Sequence, residues 1–403
     1  MSFPVDSIKS NFPIFTHRPE LVYLDNAATS QKPQSVIQTI TDFYTKENAN
    51  VHRGLYELSS NATQRYEEVR TKIASLIGAS NPRTIAFTKG TTESINIVAY
   101  SFLKKNLKPG DKVVISAMEH HSNLIPWQQV CKQNSASLEI IPVNEVGELR
   151  LELLDSLLDK GVKLLAITHI SNVLGTINPI EEIIFKAHKQ KIPVLIDGAQ
   201  SVGHYPIDVK KLDIDFLAFS AHKMFGPLGT GVLYCKEALA PYVDPYTYGG
   251  GSIKNVEFQE TEFLDYPHKL EAGTPNISGV LGLGAAVDYI RQLDPHEAIH
   301  HTKNLTISFK DKLKSLEGIT LVGQAQNFGS IVSFQVKNIH PHDVSGFLAH
   351  AHIAVRAGHH CAQPLLESMG VPATVRISFS IYNTMDDVDK TIDALVGVKK
   401  FWS

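Results

Sequence analysis

Two motifs in the middle of the chain carry side chains suited to chemistry on a single bound molecule. Asp197-Gly198-Ala199-Gln200 closes an apolar run, Val194 to Ile196, and Lys223 lies 26 residues after Asp197, in Ser220-Ala221-His222-Lys223. A second apolar run, Phe216 to Phe219, leads into that lysine motif. Short apolar runs of this kind read as buried strands, so a carboxylate and an amine are expected at neighbouring strand ends. Pyridoxal phosphate requires that pair: the lysine condenses with its aldehyde, and the carboxylate pairs with the pyridinium nitrogen and keeps the ring an electron sink. A buried Asp or a surface Lys alone is commonplace. In this order they point to a cofactor lysine.

Other polar residues follow apolar runs in the same way. Gly90-Thr91-Thr92-Glu93-Ser94 comes after Thr84–Phe87 and opens a helical stretch. Such a junction offers free backbone N–H groups to an anion, although Thr is also an ordinary helix cap. Beside the lysine motif, the phosphate reading of Thr92 is preferred. His120, in Met118-Glu119-His120-His121, follows Val113–Ser116 and suits stacking on a pyridine ring and carrying protons. The Glu-His-His order lacks the i, i+4 spacing of a zinc helix, and no metal is expected. Asn172 follows Leu164–Thr168. Open parallel sheets bind ligands beyond the carboxyl ends of their strands. Thr92, His120, Asn172, Asp197, Gln200, Ser220, His222 and Lys223 all fall there, more than turn chemistry accounts for.

Arg356-Ala357-Gly358-His359-His360-Cys361-Ala362 lies after a short strand late in the chain. Two histidines precede Cys361 and an arginine stands five residues back, neighbours that favour the reactive thiolate. A lone cysteine is more often buried and inert, but the glycine and polar neighbours favour a mobile loop here. Cys131 and Cys235 fall in an amphipathic helix and at a strand end and read as structural. Arg376 interrupts an apolar strand, Val375-Arg376-Ile377-Ser378. A guanidinium so placed needs a partner, either a substrate carboxylate held in bidentate fashion or a structural salt bridge.

The elements that must position these groups alternate along the chain. Strands are expected at Thr84–Phe87, Val113–Ser116, Leu138–Val143, Leu164–Thr168, Val194–Ile196, Phe216–Phe219 and Gly231–Tyr234. Ala62, Tyr66, Val69, Ile73 and Leu76 mark one helix face. Continuous apolar strands between helices imply an α/β fold, a mainly parallel sheet covered on both faces. The stretch from Tyr246 to Pro267 reads as an excursion or hairpin. After about Leu293 come a long helix, strands at Ile331–Val336, Ile353–Val355 and Thr374–Phe379, a helix near Asp343–His350 and a closing helix, an α+β unit. At 403 residues two domains are expected: a large cofactor-binding domain over 20–290, and a smaller one from 1–19 and 291–403 carrying the cysteine loop. The net charge of −3 argues against nucleic acid. No apolar run approaches the roughly 18 residues of a membrane span. Met1 to Phe15, with Pro4, Asp6 and Pro13, reads as neither a secretory signal nor a transit peptide, so a cytoplasmic protein is expected. Three cysteines without a CxxC pair suit a reducing compartment.

With these motifs in view, the chain resembles the pyridoxal-phosphate cysteine desulfurases of the class V aminotransferase superfamily, and most of all the group serving sulfur-mobilisation iron–sulfur assembly. The resemblance runs from Tyr23-Leu24-Asp25-Asn26-Ala27-Ala28 to the last helix. It includes Val51-His52-Arg53-Gly54, Thr168-His169-Ile170-Ser171-Asn172, Glu271-Ala272-Gly273-Thr274-Pro275-Asn276 and, most specifically, the Arg356–Ala362 motif. It implies the fold type I of pyridoxal-phosphate-dependent transferases, with a seven-stranded sheet, and a homodimer. Lys223 would carry the cofactor, with Asp197 on the pyridine nitrogen and Gln200 on the phenolic oxygen. Thr92, Ser220 and His222 would bind phosphate, joined by Thr274 from the other subunit. His120 would stack on the ring, and Asn172, Arg356 and Arg376 would serve the substrate carboxylate. Cys361 would take sulfur from L-cysteine as a persulfide, leaving L-alanine, and pass it to an acceptor protein. A rival that keeps the cofactor is selenocysteine lyase (also a side reaction) or cysteine sulfinate chemistry, and a catalytically silent scaffold is a rival of another class, against which Lys223, Asp197 and Cys361 speak.

Overall fold

Seven apolar runs become the strands of one sheet in the computed structural model, which describes residues 3–402. The first two residues of the amino-terminal segment discussed above, and Ser403, lie outside the described residues. The strands are β1 (Ile85–Thr88), β2 (Lys112–Ser116), β3 (Ser137–Ile141), β4 (Val162–Thr168), β5 (Val194–Asp197), β6 (Phe216–Ser220) and β7 (Gly231–Cys235), in the spatial order β1-β7-β6-β5-β4-β2-β3. Neighbours from β6 across to β3 run parallel, and β7 alone is antiparallel to both of its neighbours. The carboxyl ends of β1, β2, β4, β5 and β6 therefore share one edge.

Alternation explains why the runs are continuous. Side chains of a strand point to opposite faces in turn, and both faces here are covered. Val114, Leu165, Ile167 and Ile196 join a core closed by the helices Glu57–Leu76 and Ile277–Ile290. Val113, Ile115, Leu164, Ala166 and Leu195 join a second core on the other face, with Ile95, Val98 and Trp127. The expected hairpin forms between Ile253–Val256 and Thr261–Phe263.

The last part of the chain folds on a four-stranded antiparallel sheet of β8 (Ile319–Val322), β9 (Ile331–Val336), β10 (Arg356–Gly358) and β11 (Thr374–Ser378), ordered β8-β9-β11-β10. Helices Pro295–Lys314, Pro341–His350 and Met385–Trp402 supply Phe309, Leu348 and Leu395 to its core. The amino-terminal segment also enters this core. Val22 and Leu24 pack there, Val22–Tyr23 pairs in parallel with Ile353–Ala354, and Asp25 bridges to Ser378. That strap brings residues 25–32 across to the strand ends of the large sheet.

Candidate active site

A cavity of about 190 Å³ opens at the shared strand edge, where the last part of the chain meets the large sheet. Thr92, His120, Asn172, Asp197, Gln200, Ser220, His222, Lys223, Arg356, Cys361 and Arg376 all line it. Of the residues singled out in the sequence, Thr274 stands apart: it lines two other cavities, one of them with His52 and Arg53. A larger cavity of about 280 Å³, mostly apolar, lies between Ile77, Tyr205, Ile290 and Phe379 and holds none of these groups.

Asp197 ends β5 with 4% of its surface exposed. Burial raises its pKa, opposed by the Ala199 N–H that Oδ1 accepts at 2.9 Å and by the charge of Lys223. Its carboxylate takes no other hydrogen bond among the described residues, which leaves an acceptor free in the cavity. Lys223 follows β6 in a short 3₁₀ turn. Burial lowers its amine to a pKa of about 8, with Arg376 and Arg356 adding to that and Asp197 and Cys361 opposing it. Its backbone is held on both sides. The Lys223 carbonyl meets His204 Nε2 at 2.7 Å, and the His222 carbonyl accepts from Ser30 N at 2.9 Å, Lys32 Nζ at 3.0 Å and Thr29 Oγ1 at 3.1 Å.

The β1–helix junction is built for close approach. Ser220 Oγ accepts from Thr91 N at 2.8 Å and lies 2.7 Å from Thr91 Oγ1, while Thr92 Oγ1 lies 2.7 Å from Ser122 Oγ. A Cβ on Gly231 would stand 2.3 Å from Gly90 Cα, so only glycine lets β7 pack against this turn. Hydroxyls and a helix amino end gathered here suit a phosphate. Together with the underbonded Asp197 carboxylate and the buried amine, this donor set fits pyridoxal 5′-phosphate.

His120 Nδ1 accepts from Ser122 N at 3.0 Å, so the neutral ring carries its proton on Nε2. Burial and Lys223 hold its pKa down to about 3. The turn behind it hangs on Glu119, whose carboxylate meets Ser116 Oγ at 2.5 Å, Asn123 Nδ2 at 2.5 Å and Thr168 N at 2.9 Å. Burial lifts Glu119 to about 8 against those three donors.

The two arginines differ. Arg376, buried in β11, pairs with Asp25 at 2.9 Å and donates from Nη1 to the Asn172 carbonyl at 3.0 Å. The structural salt bridge weighed from sequence is therefore present, in a residue that still faces the cavity. Arg356 stands directly across the strand pair from Arg376, exposed and without a partner among the described residues. Like charges placed opposite each other are unfavourable, and a carboxylate between them would relieve both. Gln200 spends its amide nitrogen on the Ala27 carbonyl at 2.8 Å, and Asn172 spends its own on the His360 carbonyl at 2.7 Å.

The cysteine segment is not the free loop expected from its composition. Arg356–Gly358 is strand β10, and His360 and Cys361 are pinned by neighbouring residues. Cys131 and Cys235 are buried, and burial pushes both thiols up, Cys131 to about 11. Sequence reasoning passed over Thr91, Ser122, Glu119 and His204. Thr91, Glu119 and Ser122 lie within or beside motifs that it did name, but Glu119 acts through buried contacts, one of them to the distant Thr168, and His204 through a contact with Lys223, which no spacing announces.

The chain matches the aminotransferase class-V family over residues 22–391. It is 46% identical to a probable cysteine desulfurase of Halalkalibacterium halodurans, over 98% of each chain, and 43% identical to a cysteine desulfurase of Cronobacter sakazakii, over 99% of each. Among solved structures it is similar to the cysteine desulfurase CsdA of Escherichia coli, with a TM-score of 0.94 and 38% identity over the whole of both chains. An apo cysteine desulfurase from Thermococcus onnurineus NA1 superposes with a TM-score of 0.95 at 38% identity over 99% of each chain.

Proposed function

The chain belongs to the class-V aminotransferase family, and on that premise we propose that it is a pyridoxal-phosphate-dependent cysteine desulfurase. It converts L-cysteine to L-alanine, keeps the sulfur as a persulfide on Cys361 and hands it to an acceptor protein for iron–sulfur cluster assembly. The observation that carries this reading is the meeting, in one cavity, of the underbonded Asp197 carboxylate, the depressed Lys223 amine and the Cys361 thiol.

Pyridoxal 5′-phosphate, when bound, supplies an electron sink for charge developing on the substrate. Lys223 would carry it, Asp197 would serve its ring nitrogen, Gln200 its phenolic oxygen, and Thr92, Ser220 and His222 its phosphate, with His120 against the ring. Arg356, Arg376 and Asn172 orient the carboxylate of L-cysteine. Lys223 Nζ takes the proton from Cα, a task for which a pKa of about 8 leaves a working fraction of free amine near neutrality. Cys361 Sγ attacks the substrate sulfur as a thiolate. A new S–S bond forms as the substrate C–S bond breaks, the electron pair stays on the carbon fragment, a proton delivered to Cβ makes the methyl group, and the proton that Lys223 took returns to Cα to complete alanine.

The same reading takes the protein as a homodimer in the cytoplasm, in which Thr274 serves the phosphate bound by the partner subunit. The exposed Tyr248 lines one of Thr274's cavities, and the exposed Leu55 and Tyr56 follow closely on His52 and Arg53, which line the other; large side chains left in solvent there support a covered face. No helix among the described residues is long and apolar enough to cross a membrane. The two units are proposed as drawn from sequence, with the smaller one extended through Asp25 on the strength of the strap pairing. Brief exposure to L-cysteine, followed by alanine assay and peptide mass mapping, tests the activity. Alanine with added sulfur on Cys361 is expected; sulfur on Cys131 or Cys235, with Cys361 unmodified, overturns it.

A further inference from the structure

His360 and Cys361 both lie in the left-handed region, at φ of 53° and 57°. Two consecutive residues with side chains rarely hold that conformation unless their surroundings enforce it. Asn172 Nδ2 takes the His360 carbonyl at 2.7 Å, and His360 Nε2 lies 2.8 Å from Thr374 Oγ1. On the other side of the thiol, one residue supplies two anchors. The His121 N–H donates to the Cys361 carbonyl at 2.7 Å, and His121 Nε2 accepts from the Gln363 N–H at 3.2 Å. His121 thus grips the chain at Cys361 and again two residues on.

His121 itself cannot drift. It opens the turn that Glu119 anchors in the core, and the Asn123 N–H closes that turn on the His120 carbonyl at 2.7 Å. The preceding residue is His120, which lines the cavity beside Lys223. A single rigid turn therefore carries both the imidazole of the cavity wall and the clamp on the thiol segment. We propose that His121 is a positioning residue for Cys361, whose ring nitrogen holds residues 361–363 so that the thiol stays aimed into the cavity. The inference rests on the desulfurase reading for its consequence, sulfur transfer, but not for the clamp itself.

The ring acts here as an acceptor at Nε2, so substitutions separate acceptor from bulk. His121→Phe keeps a ring of similar size and loses the acceptor. His121→Gln places a carbonyl oxygen at a comparable reach, and both keep the backbone N–H. Two measurements are made on the cofactor-loaded protein: the rate at which iodoacetamide alkylates Cys361, followed by peptide mapping, and the kcat and KM for alanine formation. With His121→Phe, alkylation of Cys361 is expected to rise several-fold while the visible absorbance of bound cofactor is unchanged. The kcat is expected to fall by about tenfold or more, since a misplacement on the order of an ångström has that scale of effect, with KM for L-cysteine little altered. His121→Gln is expected to restore both. Alkylation and kcat in His121→Phe equal to wild type overturn the proposal, as does failure of His121→Gln to differ from His121→Phe. Wild-type protein that makes no alanine defeats the desulfurase reading instead, and the alkylation contrast still decides the clamp.

Discussion

Lys223 gives the sharpest outcomes at the scale of single residues. Lys223→Ala is expected to abolish alanine formation and the visible absorbance of bound cofactor, because no other amine lines the cavity among the described residues. In the wild type the sign of the pH dependence follows from the amine. Below its pKa of about 8 the ammonium has no lone pair to accept the Cα proton, so the rate should fall as pH drops through that value. A rate that climbs toward acid removes Lys223 as the base. Cys361→Ser should retain cofactor yet make neither alanine nor persulfide, since a hydroxyl is a poor nucleophile toward divalent sulfur; alanine from that variant at the wild-type rate sinks the proposed sulfur step. Asp197, Lys223 and Cys361 were legible because each follows an apolar run or a distinctive polar motif. Glu119 and His204 were not, because their roles lie in contacts with Thr168 and Lys223 that are distant in sequence. Nor was the divided state of the two arginines, which depends on Asp25 arriving from the amino-terminal strap.

Elements were legible in proportion to how completely they are buried. The strands of the large sheet declared themselves as apolar runs, since helices cover both faces of the inner ones; the edge strand β3 is part-exposed and carries Ser137 and Glu139 among its apolar residues. The smaller sheet hid two of its strands. Ile319–Val322 was passed over although its Ile-Thr-Leu-Val run is strand-like, while Arg356–Gly358 is polar and ends in glycine, so it lacks a strand's apolar signature. Pairing with β11 makes Arg356–Gly358 a strand, a tertiary decision that overrides local preference. Packing between elements also yields a prediction. At Gly231 the obstacle to a side chain is the Gly90 backbone, which cannot swing aside as a flexible side chain would. Gly231→Ala should therefore cost about 1–3 kcal/mol or more of stability and weaken cofactor retention by displacing the Gly90–Thr92 turn. Denaturant unfolding and competition for cofactor check the two effects; a fully stable variant with native retention would show that the turn tolerates the shift.

At the scale of the whole molecule, Thr274 poses the question. It lies outside the cavity that gathers the other eleven residues singled out for the site, in company with His52 and Arg53. A single chain gives it no phosphate to serve, whereas a second copy docked on that face would. The test therefore has to separate action across the interface from action within one chain. Mixed dimers do so. Thr274→Ala alone should weaken cofactor retention, and Lys223→Ala alone should be inactive. When the two variants are unfolded together and refolded, a mixed dimer pairs the intact Lys223 of one chain with the intact Thr274 of the other, and that site should regain wild-type retention and turnover. Its second site carries both defects and should be silent. If Thr274 works within its own chain, mixing restores neither property, because no site then combines both intact residues. Recovery measured on isolated mixed dimers thus reads the geometry directly, and its absence, with dimers verified by sedimentation, removes Thr274 from the partner subunit's site.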